Sequence, residues 1–212
     1  MNPAGPNSGR ASVDAVVFDL DGVIRHWNDD ELDRTARQHG VPPGAILEVA
    51  FSAPLGRAAI TGRLTYREWM DRIRAEILGV HGPGAEPALA QWEQNVGVVD
   101  AEMVELLRII RPQVPVALLS NGTTRLRRDL HVLGLTDEFD VIFNTAEIGV
   151  AKPDPAVFEQ VLGALGTDAR RTAFVDDLAT NVAGAGEVGL VGHLFRGRSG
   201  AEDFLRRLRL AL

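Results

Sequence analysis

The stretch AVVFDLDGVIRHW sets two carboxylates, Asp19 and Asp21, one residue apart at the end of an apolar run and just before Gly22. Two later apolar runs also end in polar groups: VALLSNG in Ser120, Asn121 and Gly122, and TAFVDD in Asp176 and Asp177. Lys152 stands in the intervening loop GVAKPD. Several carboxylates gathered together repel one another unless protons or a cation intervene, and a hard oxygen-liganded ion such as Mg²⁺ is the usual solution. The Ser120 hydroxyl and the backbone N–H groups after it are donors for phosphate oxygens, and the Lys152 ammonium is a point positive charge for a phosphoryl group. Together these residue types predict a divalent metal and suit phosphoryl transfer.

For such distant residues to meet, the chain must bring several strand ends to one edge. From Asp100 onward helical and strand patterns alternate: DAEMVELLRII, VPVALLSN, TTRLRRDLHVLG, DVIFN, DPAVFEQVLGALG, TAFVDD, ATNVAGAGEVG, LVGHLF and AEDFLRRLRLAL. That alternation predicts an α/β fold, a Rossmann-like three-layer α/β/α core around a parallel sheet covered on both faces. In such sheets ligands bind beyond the carboxyl ends of the strands, where the candidate residues fall. From about Asp29 to Val96 the pattern is helical throughout, with Thr65 and Glu68 spaced as a capping box. The expected organisation is a core of residues 12–26 and 97–212, a small all-helical cap at 27–96 inserted after the first strand, and a disordered tail at 1–11.

The composition bounds the function. The chain has 212 residues, a net charge of −7 and no cysteine. A negative overall field gives no steering toward nucleic acid or an anionic membrane, so neither is an expected partner, and binding of a small phosphorylated metabolite would have to rely on local positive charge. Without cysteine there are no disulfides, iron–sulfur clusters or cysteine zinc sites. No apolar run approaches the roughly 18 residues of a membrane span, and a cytoplasmic setting is the default expectation.

The segments FDLDGV, LLSNGT, GVAKPDPAVF and FVDDLATNVAGA resemble, in that order, the four motifs of the haloacid dehalogenase superfamily, and the helical insert resembles its C1-type cap. The SNG and DDxxxN patterns are similar to those of its phosphatase-like branch, which includes glucose-1-phosphate phosphatase-like proteins and the N-terminal phosphatase domain of soluble epoxide hydrolase. The resemblance implies that Asp19 is the nucleophile, forming an aspartyl-phosphate, and that Asp21 protonates the leaving alkoxide and then activates water. It implies that Asp19 and the main-chain carbonyl of Asp21 bind Mg²⁺ with Asp177, that Asp176 supports the metal directly or through water, and that Ser120, Asn121, Gly122 and Lys152 hold the phosphoryl group. The chain departs from the common pattern at Val23, where many relatives have Thr, and at Asn181, where many have Asp. Val23 is expected in the core, and Asn181 is expected to bond a ligand water or Lys152.

A carboxylate at position 21 suits a poor alkoxide leaving group, so the expected reaction is hydrolysis of a small phosphomonoester, such as a sugar phosphate, rather than displacement of halide. A phosphomutase would use the same core. A receiver-like or catalytically silent phosphate-binding protein would share the acids, hydroxyl and lysine, although receivers lack a helical insert after the first strand. The run GAGEVG (Gly184–Gly189) matches the dinucleotide fingerprint G-x-G-x-x-G, but it closes a helical stretch instead of opening one after a strand. The five histidines show no metal spacing. His26, with Arg25 and Trp27, is a candidate for the substrate mouth, and Arg57 and Arg63 are candidates to meet a substrate anion. The run RRLRL is expected on the wet face of the last helix.

Overall fold

Strands covered on both faces need apolar residues at every position rather than at alternate ones. In the computed structural model, which describes residues 11–212, β1 (Ala15–Phe18) has all four residues buried. The chain then forms a two-residue strand β2 (Arg25–His26) and five helices: α1 (Asp29–Gln38), α2 (Ala45–Ala50), α3 (Leu55–Ile60), α4 (Tyr66–His81) and α5 (Glu86–Gln94). It returns through β3 (Val98–Val99), which pairs antiparallel with β2. There follow α6 (Ala101–Ile110), β4 (Val116–Ser120), α7 (Leu126–Val132), β5 (Val141–Asn144) and the short α8 (Thr145–Ile148). The chain ends with α9 (Pro155–Leu165), β6 (Thr172–Asp176), α10 (Ala179–Val188), β7 (Val191–Leu194) and α11 (Arg198–Arg207).

The main sheet runs β5-β4-β1-β6-β7, parallel at every pairing, with Val16 facing Val116 on one side and Ala173 on the other. Side-chain alternation divides its two faces. Val16 and Phe18 pack with α6, α7 and α11 through Met103, Leu106, Leu130 and Phe204. Val17, Ala117 and Leu119 pack with α9 and α10 through Phe158, Val161 and Ala185. The result is the Rossmann-like three-layer α/β/α architecture. From β1 the chain passes to β4 on one side and later to β6 on the other, so the carboxyl end of β1 is a switch point, the position where such sheets bind ligands.

The five helices between β2 and β3 carry a hydrophobic cluster of their own, built on Trp69, Met70, Ile73, Ile77 and Leu89. The capping box is formed: Thr65 Oγ1 accepts from the Glu68 amide, and the Thr65 amide donates to the Glu68 carboxylate. Val23 is fully buried, as its apolar side chain requires. Residues 1–10 of the expected tail lie outside the described residues, while Ala11 packs against the sheet's core. The β2–β3 pair, α3 and α8 are too short to leave a periodic pattern. The final helix starts earlier than expected, at Arg198, and stops at Arg207; Arg206, Arg207 and Arg209 are exposed.

Candidate active site

Asp19 leaves β1 with its side chain buried and meets Lys152, whose Nζ donates to Asp19 Oδ1 at 2.8 Å and to Asp176 Oδ2 at 2.7 Å. The same ammonium donates to the Leu119 carbonyl at 2.9 Å, so its three protons have three acceptors. Asp19 Oδ1 also accepts from the Leu20 amide at 2.7 Å, which leaves Oδ2 free of these contacts, and Asp19 lines a cavity. Carboxylate oxygens of Asp19, Asp176 and Asp177 all lie within 4.8 Å of one another.

One buried cation serves two buried anions with a third alongside. Burial pushes the Asp19 carboxyl up to about 7; attraction from Lys152 opposes this, and repulsion from Asp176 adds to it. Burial also works against the Lys152 ammonium, but Asp19 and Asp176 outweigh it and hold that group above its ordinary value. Asp177 is raised as well, by burial and then by the charge of Asp176. The cluster therefore has an excess of negative charge that a hard cation would relieve.

Asp176 is already saturated with donors. Its Oδ1 accepts from the Leu178 amide and Asn181 Nδ2, and its Oδ2 from Lys152 and the same Asn181 nitrogen, at 2.7–3.0 Å. Asn181 therefore braces Asp176 rather than Lys152, one of its two expected partners, because the turn of α10 carries it over the end of β6. The open carboxylates for a metal are Asp19 and Asp177. Gly22 permits this: its φ is +78°, and a Cβ there would stand 2.2 Å from Asp177 Oδ2.

The Asn121 side chain is engaged by the lysine loop. Its Oδ1 accepts from the Lys152 amide at 2.9 Å and its Nδ2 donates to the Lys152 carbonyl at 3.1 Å, so both ends of the side chain fasten the lysine loop. Ser120 and Asn121 line the cavity of about 400 Å³ that holds Asp19, Lys152 and Asp177. Gly122 lines the neighbouring cavity instead. Gly184, the first glycine of GAGEVG, serves packing: a Cβ there would stand 2.3 Å from the Pro153 carbonyl, so α10 lies directly on the lysine loop.

Asp21 lies outside the carboxylate triad. Arg25 donates to both of its oxygens, Nε to Oδ1 at 2.7 Å and Nη2 to Oδ2 at 3.0 Å. Arg25 is buried and its guanidinium stacks 4.4 Å from the centre of the Trp27 ring. His26 lines the triad's cavity and sits 3.3 Å from Asp100. Arg57 and Arg63 are exposed and line neither cavity.

Sequence reasoning missed the clamp between the helical insert and the sheet. Arg125 donates to the Tyr66 hydroxyl, to the carbonyls of Glu93 at 2.6 Å and Asn95 at 3.0 Å, and to Asp129 at 2.9 Å. Thr145 Oγ1 donates to the Ile60 carbonyl at 2.7 Å. Nothing in the local pattern distinguishes Arg125 from its neighbours Arg127 and Arg128.

A parallel sheet whose switch point carries buried carboxylates and a lysine defines an α/β enzyme working at strand ends. Residues 13–189 match the haloacid dehalogenase-like hydrolase family, and the chain belongs to it. Among its relatives is a sesquiterpene phosphatase of Aspergillus oryzae, 33% identical over 184 residues that cover 84% of this chain and 87% of that one. Another is a phosphoglycolate phosphatase of Yersinia pestis, 35% identical, covering 84% and 78%. A HAD family enzyme of Bacteroides thetaiotaomicron, solved with magnesium and inorganic phosphate, superposes with a TM-score of 0.69 at 23% identity over 85% of this chain and 93% of that one.

Proposed function

We propose that this hydrolase is a Mg²⁺-dependent phosphatase that cleaves a small phosphomonoester through an aspartyl-phosphate on Asp19. The observation that carries the reading is the cluster itself: carboxylate oxygens of Asp19, Asp176 and Asp177 within 4.8 Å, with Lys152 bridging the first two and Asp21 on the wall of the same cavity. The phosphatase names of two relatives support it. The donor set fits the metal, being hard carboxylate oxygens with unrelieved negative charge. Asp19 and Asp177 would hold Mg²⁺, with Asp176 organising them through its own hydrogen bonds. When bound, the ion would screen the phosphoryl charge from the attacking carboxylate.

The chain's own groups do the rest. Lys152 and the Leu20 amide fix Asp19 Oδ1, which leaves Oδ2 to attack phosphorus. The P–O bond to the alcohol breaks as the bond to Asp19 forms, and Asp21 supplies the proton that the leaving alkoxide takes up. Asp21 then takes a proton from the water that hydrolyses the acyl phosphate, freeing phosphate and Asp19. Ser120 donates to the transferring oxygens in this reading, and Lys152, its three protons engaged by Asp19, Asp176 and Leu119, contributes the field of its positive charge. Residues 27–96 act in this reading as a cap over a core of residues 12–26 and 97–212, excluding bulk water from the reacting phosphorus. Release of phosphate from p-nitrophenyl phosphate, abolished by EDTA and by Asp19→Asn, is the expected result. EDTA-insensitive turnover, or unchanged turnover in the variant, would refute the proposal.

A further inference from the structure

We infer that the alcohol released by this enzyme is apolar, an aliphatic or aromatic group without a sugar's hydroxyls, and that it sits in a second cavity beside the carboxylates. The inference rests on the phosphatase reading above and names its substrate class. A cavity of about 370 Å³, within the size range of small-molecule sites, lies between the helical insert and the sheet. It shares Asp21, Trp27 and Asn121 with the cavity of Asp19 and Lys152. A phosphate held at Asp19 thus has its ester oxygen near Asp21 and its organic group in the second cavity.

The lining of that cavity decides what the group is. The chain has three tryptophans and one tyrosine, and all four, Trp27, Trp69, Trp92 and Tyr66, face it. Leu47 and Phe51 complete its rim, and Phe51 is 58% exposed, with Trp27 40% and Leu47 37%. Three large apolar side chains left in water around one opening mark a surface that an apolar ligand covers. The charged groups in the wall are largely spent on one another: Arg25 on Asp21, and Arg125 on Asp129, Tyr66 and two backbone carbonyls. The Trp69 indole N–H donates to the Ala50 carbonyl. Of the uncharged polar side chains in the wall, Asn121 is held at both ends by the Lys152 backbone, Asn95 Oδ1 accepts from the Gly97 amide and Thr123 Oγ1 accepts from the Arg125 amide. Much of the wall's hydrogen-bonding capacity is thus already taken, which leaves little for a ligand's hydroxyls. A sugar brings several, and each hydroxyl stripped of water without a partner lowers binding by about tenfold or more.

The test is kcat/KM, with Mg²⁺ present, for geranyl phosphate, 3-phenylpropyl phosphate, glucose 6-phosphate and glycerol 3-phosphate, with acetyl phosphate as a reference whose small leaving group needs no second cavity. The two apolar esters are expected to exceed the two hydroxylated ones by about 100-fold, and Phe51→Ser to shrink that ratio about tenfold. In the Asp19→Asn protein, geranyl phosphate is expected to shift tryptophan emission at concentrations where glucose 6-phosphate does not. Acetyl phosphate hydrolysis with equal or better turnover of the hydroxylated esters would overturn the substrate class and leave the phosphatase reading standing. No hydrolysis of any ester, acetyl phosphate included, would overturn both.

Discussion

Replacing Lys152 by methionine removes one ammonium and keeps most of the side chain's volume. The lysine side chain is 1% exposed, as against 8% for Asp19 and 0% for Asp176. The change therefore leaves two buried carboxylates without their cation and the Leu119 carbonyl without its donor. Breaking a buried ion pair by removing one partner costs about 3–5 kcal/mol, a large fraction of the 5–15 kcal/mol typical of a folded domain. The cost depends on pH through Asp19. In the native protein its folded pKa, about 7, lies above the unfolded value, so stability is fully present below the unfolded pKa and is lost as pH rises to about 7. Lys152 is what holds that pKa down, so in the variant the loss continues above pH 7, at up to about 1.4 kcal/mol per pH unit. Urea unfolding in EDTA, followed by tryptophan fluorescence, is expected to show Lys152→Met less stable by about 3–5 kcal/mol at pH 6.5. The gap is expected to widen by roughly 2 kcal/mol at pH 8.5. A loss under about 1 kcal/mol at both values, or a gap that narrows as pH rises, would refute the reasoning.

Three further outcomes follow from the same geometry. Asp21→Asn should lower kcat on alkyl phosphates by about 10²–10⁴ and far less on p-nitrophenyl phosphate, whose leaving group needs no acid; an equal loss on both esters would remove Asp21 from the acid role. Gly22→Ala puts a methyl group within 2.2 Å of Asp177 Oδ2, so calorimetry should show Mg²⁺ affinity about 10–100-fold weaker, and unchanged affinity would take Asp177 out of the metal site. Mg²⁺ at a hundred times its Kd should add about 2.7 kcal/mol, or about 5–10 °C in Tm, at pH 8. The shift should be smaller at pH 5, where Asp19 is protonated, and a larger shift at pH 5 would contradict the raised carboxyl.

How much of this was legible in the chain varies with the range of the interaction. The strands announce themselves because burial on both faces requires unbroken apolar runs, and the polar residues that end them, at 19, 120–122 and 176–177, mark the edge where the site lies. The capping box at Thr65 and Glu68 is equally local, three residues apart on one turn. The rejection of GAGEVG as a nucleotide loop needed only its position at the end of a helix. Asn121 and Asn181 were visible as residues of the site, but their partners were not: Asn121 binds the backbone of Lys152, 31 positions away, and Asn181 braces Asp176.

Only the tertiary structure decided what surrounds the phosphate. The sheet order places Asp19, Lys152, Asp176 and Asp177 at one switch point, and that follows from alternating strands and helices whose hydrophobic pattern is periodic and readable. The apolar cavity has no such pattern. Tyr66, Trp69 and Trp92 come from two helices that meet in the insert's own cluster, and Trp27 from a connecting segment that joins them at the cavity. The pairing of Arg25 with Asp21 is close in sequence, yet the burial of Arg25 belongs to the fold, with Gly97 packed so closely that a Cβ there would stand 2.7 Å from Arg25 Cγ. The amino-acid sequence by itself determined the chemistry, because reactive groups sit at the ends of periodic elements. The proposed leaving group rests on the folded structure, because a cavity is the space between elements and has no period of its own.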